Sequence, residues 1–195
     1  MDEQHMGAAP PLQVELWFNT NAPIRLESLR GKVVVLYAFQ MLCPGCVSHG
    51  LPQAKAIYEQ FTRDEVEVIG LHSVFEHHAA MQPQSLAAFL YEYRVPFPVA
   101  VDRHEAGKPL PLTMQAYAMQ GTPTLIIIDK QGMLRMQSFG PPSDLLLGRW
   151  LGRLLSEPDK SVDTAAAASA LTTPDQSASA AACTPQSCPA PRKQD

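Results

Sequence analysis

The apolar positions of this chain change period several times, and each change marks an element. Lys32 to Phe39 is an almost unbroken apolar, β-branched run. That pattern predicts a central strand buried on both faces. After Cys43 the period lengthens. Val47, Leu51, Ala54, Tyr58 and Phe61 recur at helical spacing. Val66 to Leu71 reads as a second strand, Phe97 to Val101 as a short one, and Thr124 to Asp129 as another buried strand. Lys130-Gln131-Gly132 turns the chain into Met133 to Phe139. Helices are expected over Ser85 to Tyr93, with Ser85 as N-cap, and over Leu112 to Met119. A last helix runs from a Ser143-Asp144 cap to Leu155, with Leu146, Trp150 and Leu154 on one face. Ahead of all these, Leu12 to Phe18 and Ile24 to Leu29 suggest an N-terminal hairpin around Asn19-Thr20-Asn21. Strands alternating with helices indicate an α/β fold, a central mixed sheet with helices on both sides.

The pattern stops near Leu155. Residues 156–195 contain no aromatic residue, an alanine run from Ala165 to Ala168, and five prolines. Such a segment buries too little apolar area to offset its ordering entropy. The expected organisation is a flexible N-terminus over residues 1–11, a folded domain over 12–155, and a disordered Ala/Pro/Ser-rich tail over 156–195.

Composition removes several function classes. The formal charge is −4 and only 17% of residues are charged. No basic patch invites nucleic acid. The longest apolar run, Val33 to Phe39, is seven residues, against about 20 for a membrane span. The polar, acidic start Met1-Asp2-Glu3-Gln4-His5 has no signal-peptide character. A cytoplasmic location is therefore expected, where stable structural disulfides are rare. The four cysteines then point to catalysis or metal binding.

Cys43-Pro44-Gly45-Cys46 is the segment that carries chemistry. It follows a buried strand and opens a helix, the context of a redox motif. Unpaired N–H groups and the macrodipole at a helix N-terminus favour an anion. A thiolate at Cys43 is the form that attacks. Pro44 suits the first helical position, where a missing N–H costs nothing. Cys46, one turn on, can close a ring to Cys43. The predicted reaction is thiol–disulfide exchange: Cys43 attacks a substrate disulfide and Cys46 resolves the mixed disulfide.

With Leu29-Arg30-Gly31-Lys32-Val33-Val34-Val35, this dithiol after the strand, and Gly121-Thr122-Pro123-Thr124 before the next long strand, the chain resembles the thioredoxin superfamily. It looks most like the TlpA/ResA-type thiol-disulfide oxidoreductases of the redoxin/AhpC-TSA group. The resemblance implies a thioredoxin-like three-layer sandwich with an insertion between Leu71 and Met119. It implies a cis-proline at Pro123, and a Thr122 backbone that receives substrate. It also implies a protein or small-molecule disulfide as substrate, an electron-donating dithiol protein as partner, and no bound cofactor or metal.

Three positions depart from the thioredoxin pattern. Tyr37 stands where a buried acid would accept the resolving thiol's proton. Leu42 replaces the aromatic residue before the dithiol. The helix proline comes one residue late, at Pro52.

Two alternatives use the same residues. A peroxiredoxin-like peroxidase shares the fold, but Gln40 stands where that activity wants Thr or Ser, and Leu36 where it wants Pro. A metal-binding module would use Cys43, Cys46 and His49. Val47 stands where a CxxCH haem site needs His. Accessory candidates are Gln40, Pro44, Gly45, and His72 from the group His72, Glu76, His77 and His78. Two readings stand for that group: a polar exposed loop, or a groove lining in which a neutral His72 at a strand's carboxyl end takes protons in place of the missing acid. Cys183 and Cys188 in the tail form a C-x4-C pair. A flexible chain from Leu155 to Cys183 spans roughly 30 Å, so a relay to Cys43 is within reach.

Overall fold

The structure, a computed structural model, describes residues 7–158. The tail cysteines Cys183 and Cys188 lie outside the described residues. Six strands form one sheet in the order β1-β4-β3-β2-β5-β6. They are β1 (Val14–Phe18), β2 (Val33–Phe39), β3 (Val66–His72), β4 (Val99–Asp102), β5 (Thr124–Ile128) and β6 (Leu134–Phe139). The central trio β2, β3 and β4 is parallel. β1, β5 and β6 run antiparallel to their neighbours. This is the mixed α/β sheet expected from the alternation of elements, in the thioredoxin-like arrangement that the resemblance implies.

β2 is buried along its whole length, and its alternation divides the molecule. Val33, Val35, Tyr37 and Phe39 face one core, with Leu51, Ile57, Leu86, Leu147 and Leu151. Val34, Leu36 and Ala38 face the other, with Ile69, Leu71, Met114, Ile126 and Ile128. Helices α1 (Leu51–Gln60), α2 (Pro83–Glu92) and α4 (Asp144–Ser156) supply the first core, and the short α3 (Leu112–Ala116) the second. No helix among the described residues is long and apolar enough to cross a membrane.

Four local expectations need correcting. The N-terminal hairpin does not form. β1 pairs with β4 instead, and Leu26–Leu29 is a 3₁₀ turn. Leu26 and Leu29 are both buried, and an i, i+3 pair meets one core only when the backbone coils. α2 begins at Pro83 after an extended Gln82, so Ser85 lies inside the first turn. Proline at the helix start forfeits no hydrogen bond. On α4 the buried face is Leu147, Leu151 and Leu154, while Leu146 and Trp150 are only half-buried. The apolar arc is wide enough to fit either face, and packing against β2 selects the one shifted by a residue. Finally, residues 7–10, assigned above to a flexible terminus, are tied down. Ala8 bridges Met133, and the Tyr117 hydroxyl donates to the Pro10 carbonyl at 2.7 Å.

The helix after Cys43 is also not regular. Cys46–Gly50 is a π-helical turn leading into α1. Pro52 has no N–H to give the Ser48 carbonyl, so the ladder breaks there. The Leu51 N–H reaches back five residues to the Cys46 carbonyl. Such one-turn widenings often sit at functional sites.

Candidate functional site

Cys43 lies just beyond the carboxyl end of β2, at the entry to the helix. Cys43 is half-buried, while Cys46 is fully buried. The Cys46 N–H donates to the Cys43 sulfur at 3.3 Å. On its other side the Cys43 sulfur lies 3.5 Å from the Thr122 carbonyl oxygen, to which the thiol donates. The Thr122–Pro123 bond is cis. A Cβ on Gly45 would sit 3.7 Å from the Pro123 ring, so the first helical turn rests against that proline. The structure thus brings together Cys43, Pro44, Gly45, Cys46, Thr122 and Pro123.

The two thiols differ electrostatically. Burial, then the hydrogen bond to Cys43, pushes the Cys46 thiol up to about 12, against opposing contributions from the Gln40 backbone and the Thr122 hydroxyl. Removing a charged form from water is the dominant cost. Cys46 therefore holds its proton at neutral pH.

Gln40 is buried and ties three segments together. Its Oε1 accepts the Phe75 N–H at 3.3 Å. Its Nε2 donates to Glu76 Oε1 at 3.4 Å and to Thr122 Oγ1 at 3.5 Å. Its carbonyl accepts the Cys43 N–H at 3.1 Å. The accessory position thus anchors both the dithiol turn and the cis-proline loop.

Of the group's two readings, the exposed loop fits Glu76, His77 and His78, and His72 stands apart from them. It is buried, and its Nε2 accepts the Met41 N–H at 3.4 Å. Burial lowers its pKa to about 4, so the ring is neutral, but its lone pair is already engaged. Nor do its neighbours in sequence gather around it. Glu76, His77 and His78 are exposed, and His78 packs edge-on against His104. His49 is exposed and pairs with Ser48 Oγ at 2.7 Å. Among the described residues no three His, Cys, Asp or Glu side chains gather as a metal site.

Two contacts escaped the sequence reading. Gly121 lies under the exposed Phe139 ring, where a Cβ would come within 2.8 Å. Gly50 lies against Tyr37, where a Cβ would come within 2.6 Å. A glycine inside a helical pattern is the signal for such a close approach.

With this geometry in view, the AhpC/TSA family model matches residues 7–137. The chain belongs to the AhpC/TSA family. Its thioredoxin-like character is equally plain among solved structures. A thioredoxin-like superfamily protein shares 54% identity at a TM-score of 0.77, over 78% of this chain and 99% of that one. A thiol-disulfide isomerase from Corynebacterium glutamicum shares 49% identity at a TM-score of 0.74, over 77% of this chain and 98% of that one. Protein DipZ of Mycobacterium bovis is 31% identical over 137 residues, which are 69% of this chain and 19% of that protein. NHL repeat-containing protein 2 of Gallus gallus is 31% identical over 135 residues, 67% of this chain and 17% of that protein. The chain thus spans less than a fifth of these curated relatives. Within the AhpC/TSA family its likeness to thiol-disulfide oxidoreductases supports a redox function.

Proposed function

We propose that this protein is a thiol-disulfide oxidoreductase of the protein-disulfide reductase type, with Cys43 as nucleophile and Cys46 as resolving thiol. One observation carries the reading: the sulfur of the half-buried Cys43 receives a helix N–H, while the Cys46 thiol beside it is buried and held protonated. The two sulfurs are close but unequal, as sequential steps require.

In the first step the Cys43 thiolate attacks one sulfur of the substrate disulfide. A Cys43–substrate disulfide forms and the other substrate sulfur leaves as thiolate. The Cys46 N–H donates to the attacking sulfur at 3.3 Å. In the second step Cys46 attacks the Cys43 sulfur. The Cys43–Cys46 disulfide forms, the second substrate sulfur departs, and the proton lost by Cys46 ends on it. The substrate is reduced by two electrons and the dithiol oxidised by two. A second dithiol protein restores it by the same exchange in reverse.

Thr122 and the cis-proline supply the seat for substrate beside Cys43. The substrates fitting this site are protein disulfides or small disulfides. Reduction of insulin by the dithiol-reduced protein tests the reading. Loss of turnover in Cys43→Ser is expected, and equal turnover in that variant and the parent refutes it.

A further inference from the structure

Tyr37 occupies the position where the thioredoxin pattern has a buried acid, and it does something else there. The residue points from β2 into the core that holds α1 and is 1% exposed. Its hydroxyl donates to the Cys46 carbonyl at 2.8 Å. The same carbonyl accepts the Leu51 N–H that closes the π turn. The phenol can come this near only because residue 50 is glycine. A Cβ there would lie 2.6 Å from Tyr37 Cε2 and 2.7 Å from its hydroxyl oxygen. The ring also stacks on Phe39, at 5.4 Å between centroids.

Pro52, the π turn, Gly50 and Tyr37 therefore form one device. In a regular α-turn the carbonyl of residue 46 would meet the amide four residues on. Here the turn is widened, and the phenol takes hold of that carbonyl from the sheet. We propose that Tyr37 is a positioning residue for the resolving step: its hydroxyl grips the Cys46 carbonyl across the gap left by Gly50, and so holds the buried thiol in place to attack the Cys43 sulfur. This rests on the assignment of Cys43 as nucleophile and Cys46 as resolver. Small displacements of a reacting group cost rate steeply, so the grip bears on the second step more than the first.

Tyr37 does not replace the acid as a base. Burial, reinforced by the nearby Cys46 and Cys43, holds the phenol's ionisation well above its ordinary value. The hydroxyl keeps its proton throughout and only donates. The Cys46 proton passes to the departing sulfur.

The test uses the full-length chain carrying Cys183→Ser and Cys188→Ser, reduced, and mixed with the chromogenic disulfide 5,5′-dithiobis(2-nitrobenzoate). Attack by Cys43 releases one coloured thiolate. Resolution by Cys46 releases the second and closes the internal disulfide. Cys46→Ser must abolish the second phase; if that phase persists, the assignment of the two cysteines fails. Where it does vanish, Tyr37→Phe keeps the ring and removes the hydroxyl that grips the Cys46 carbonyl. The ratio of second-phase to first-phase rate is then expected to fall about 5-fold, the worth of one hydrogen bond. Gly50→Ala, which displaces the ring without removing its hydroxyl, is expected to lower the same ratio, and decides the matter if Tyr37→Phe does not fold. A ratio within about twofold of the parent in the folded variants, whatever their melting temperatures, overturns the proposal.

Discussion

The backbone N–H of Cys46 points at the Cys43 sulfur across 3.3 Å, while the Cys46 side chain is shut away from solvent. Solvent reaches the first cysteine and not the second. Replacing each cysteine by serine should therefore give two different failures. Cys43→Ser should reduce insulin no faster than the uncatalysed reaction. Cys46→Ser should still attack but stall as a mixed disulfide, visible by intact mass as a covalent adduct of one substrate chain. An adduct on Cys46 in the Cys43→Ser variant, formed as fast as the adduct on Cys43, would reverse the roles.

The residues between the cysteines set the redox poise. Pro44 and Gly45 carry no charge, so neither side chain adds a charge beside the dithiol. A strongly oxidising couple owes its potential to a stabilised reduced form. The Cys43–Cys46 couple should therefore lie nearer the thioredoxin value of about −270 mV than the strong-oxidant value of about −120 mV. Equilibration with defined glutathione buffers measures it, and a value at the oxidising end refutes the argument.

Gln40→Leu should damage the site from beneath. The change removes the acceptor of the Phe75 N–H and the donor to Glu76 and Thr122. A buried polar group left without its partner costs about 1–3 kcal/mol. Urea unfolding should show that loss, and insulin reduction should slow several-fold as the Thr122 loop loosens. Unchanged stability and turnover would mean that the three contacts contribute nothing.

The sheet and the dithiol were legible because each rests on a local signal. Val33 to Phe39 has no polar residue to suggest an exposed face, and Cys43 follows that run within one turn. What could not be read depended on partners distant in sequence. Leu26 and Leu29 look like strand residues until both are required in one core. Leu146, Leu147, Trp150 and Leu151 admit two helical faces, and only contact with β2 chooses between them. His72 sits among Glu76, His77 and His78 in sequence and so resembles a polar cluster. Its register opposite Phe39 takes it into the interior instead. Tyr37 was visible as a missing acid, but its grip on Cys46 needed Gly50 and Pro52 to be read as one feature.

Far from the dithiol, Arg135 holds the end of the sheet to the end of α4. Its Nη1 donates to Asp129 Oδ2 at 2.9 Å and to Glu157 Oε2 at 2.7 Å, and its Nη2 to Glu157 Oε1 at 2.9 Å. Arg135 and Asp129 are both buried. Arg135→Met leaves the Asp129 charge with only the Gln131 and Met133 N–H groups, both on its Oδ1, and removing one member of a buried pair costs about 3–5 kcal/mol. Glu157 is more exposed, at 29% of its side chain, so Glu157→Gln should cost about 1 kcal/mol or less. Thermal or urea unfolding of the two variants compares them directly. Equal losses would mean that burial does not set the cost.

The buried His72 should leave a signature in the pH dependence of stability. Its pKa is lowered from an ordinary 6.5 to about 4 by burial. Between those values the unfolded chain binds a proton that the folded chain does not, so stability rises with pH across that window. The contribution is complete above about pH 6.5 and is lost as the pH falls through about 4. It amounts to on the order of 3 kcal/mol in all. Asp102 acts with the opposite sign, because burial raises its carboxyl despite bonds from Thr113, Ser73 and Met114. The comparison must therefore be made against a variant. His72→Gln retains an acceptor for the Met41 N–H and has nothing to titrate. Urea unfolding at pH 7 and pH 4.5 should show the parent losing about 2–3 kcal/mol more than the variant over that interval. Parallel losses in the two proteins would show that His72 takes up its proton in the folded state as readily as in the unfolded one.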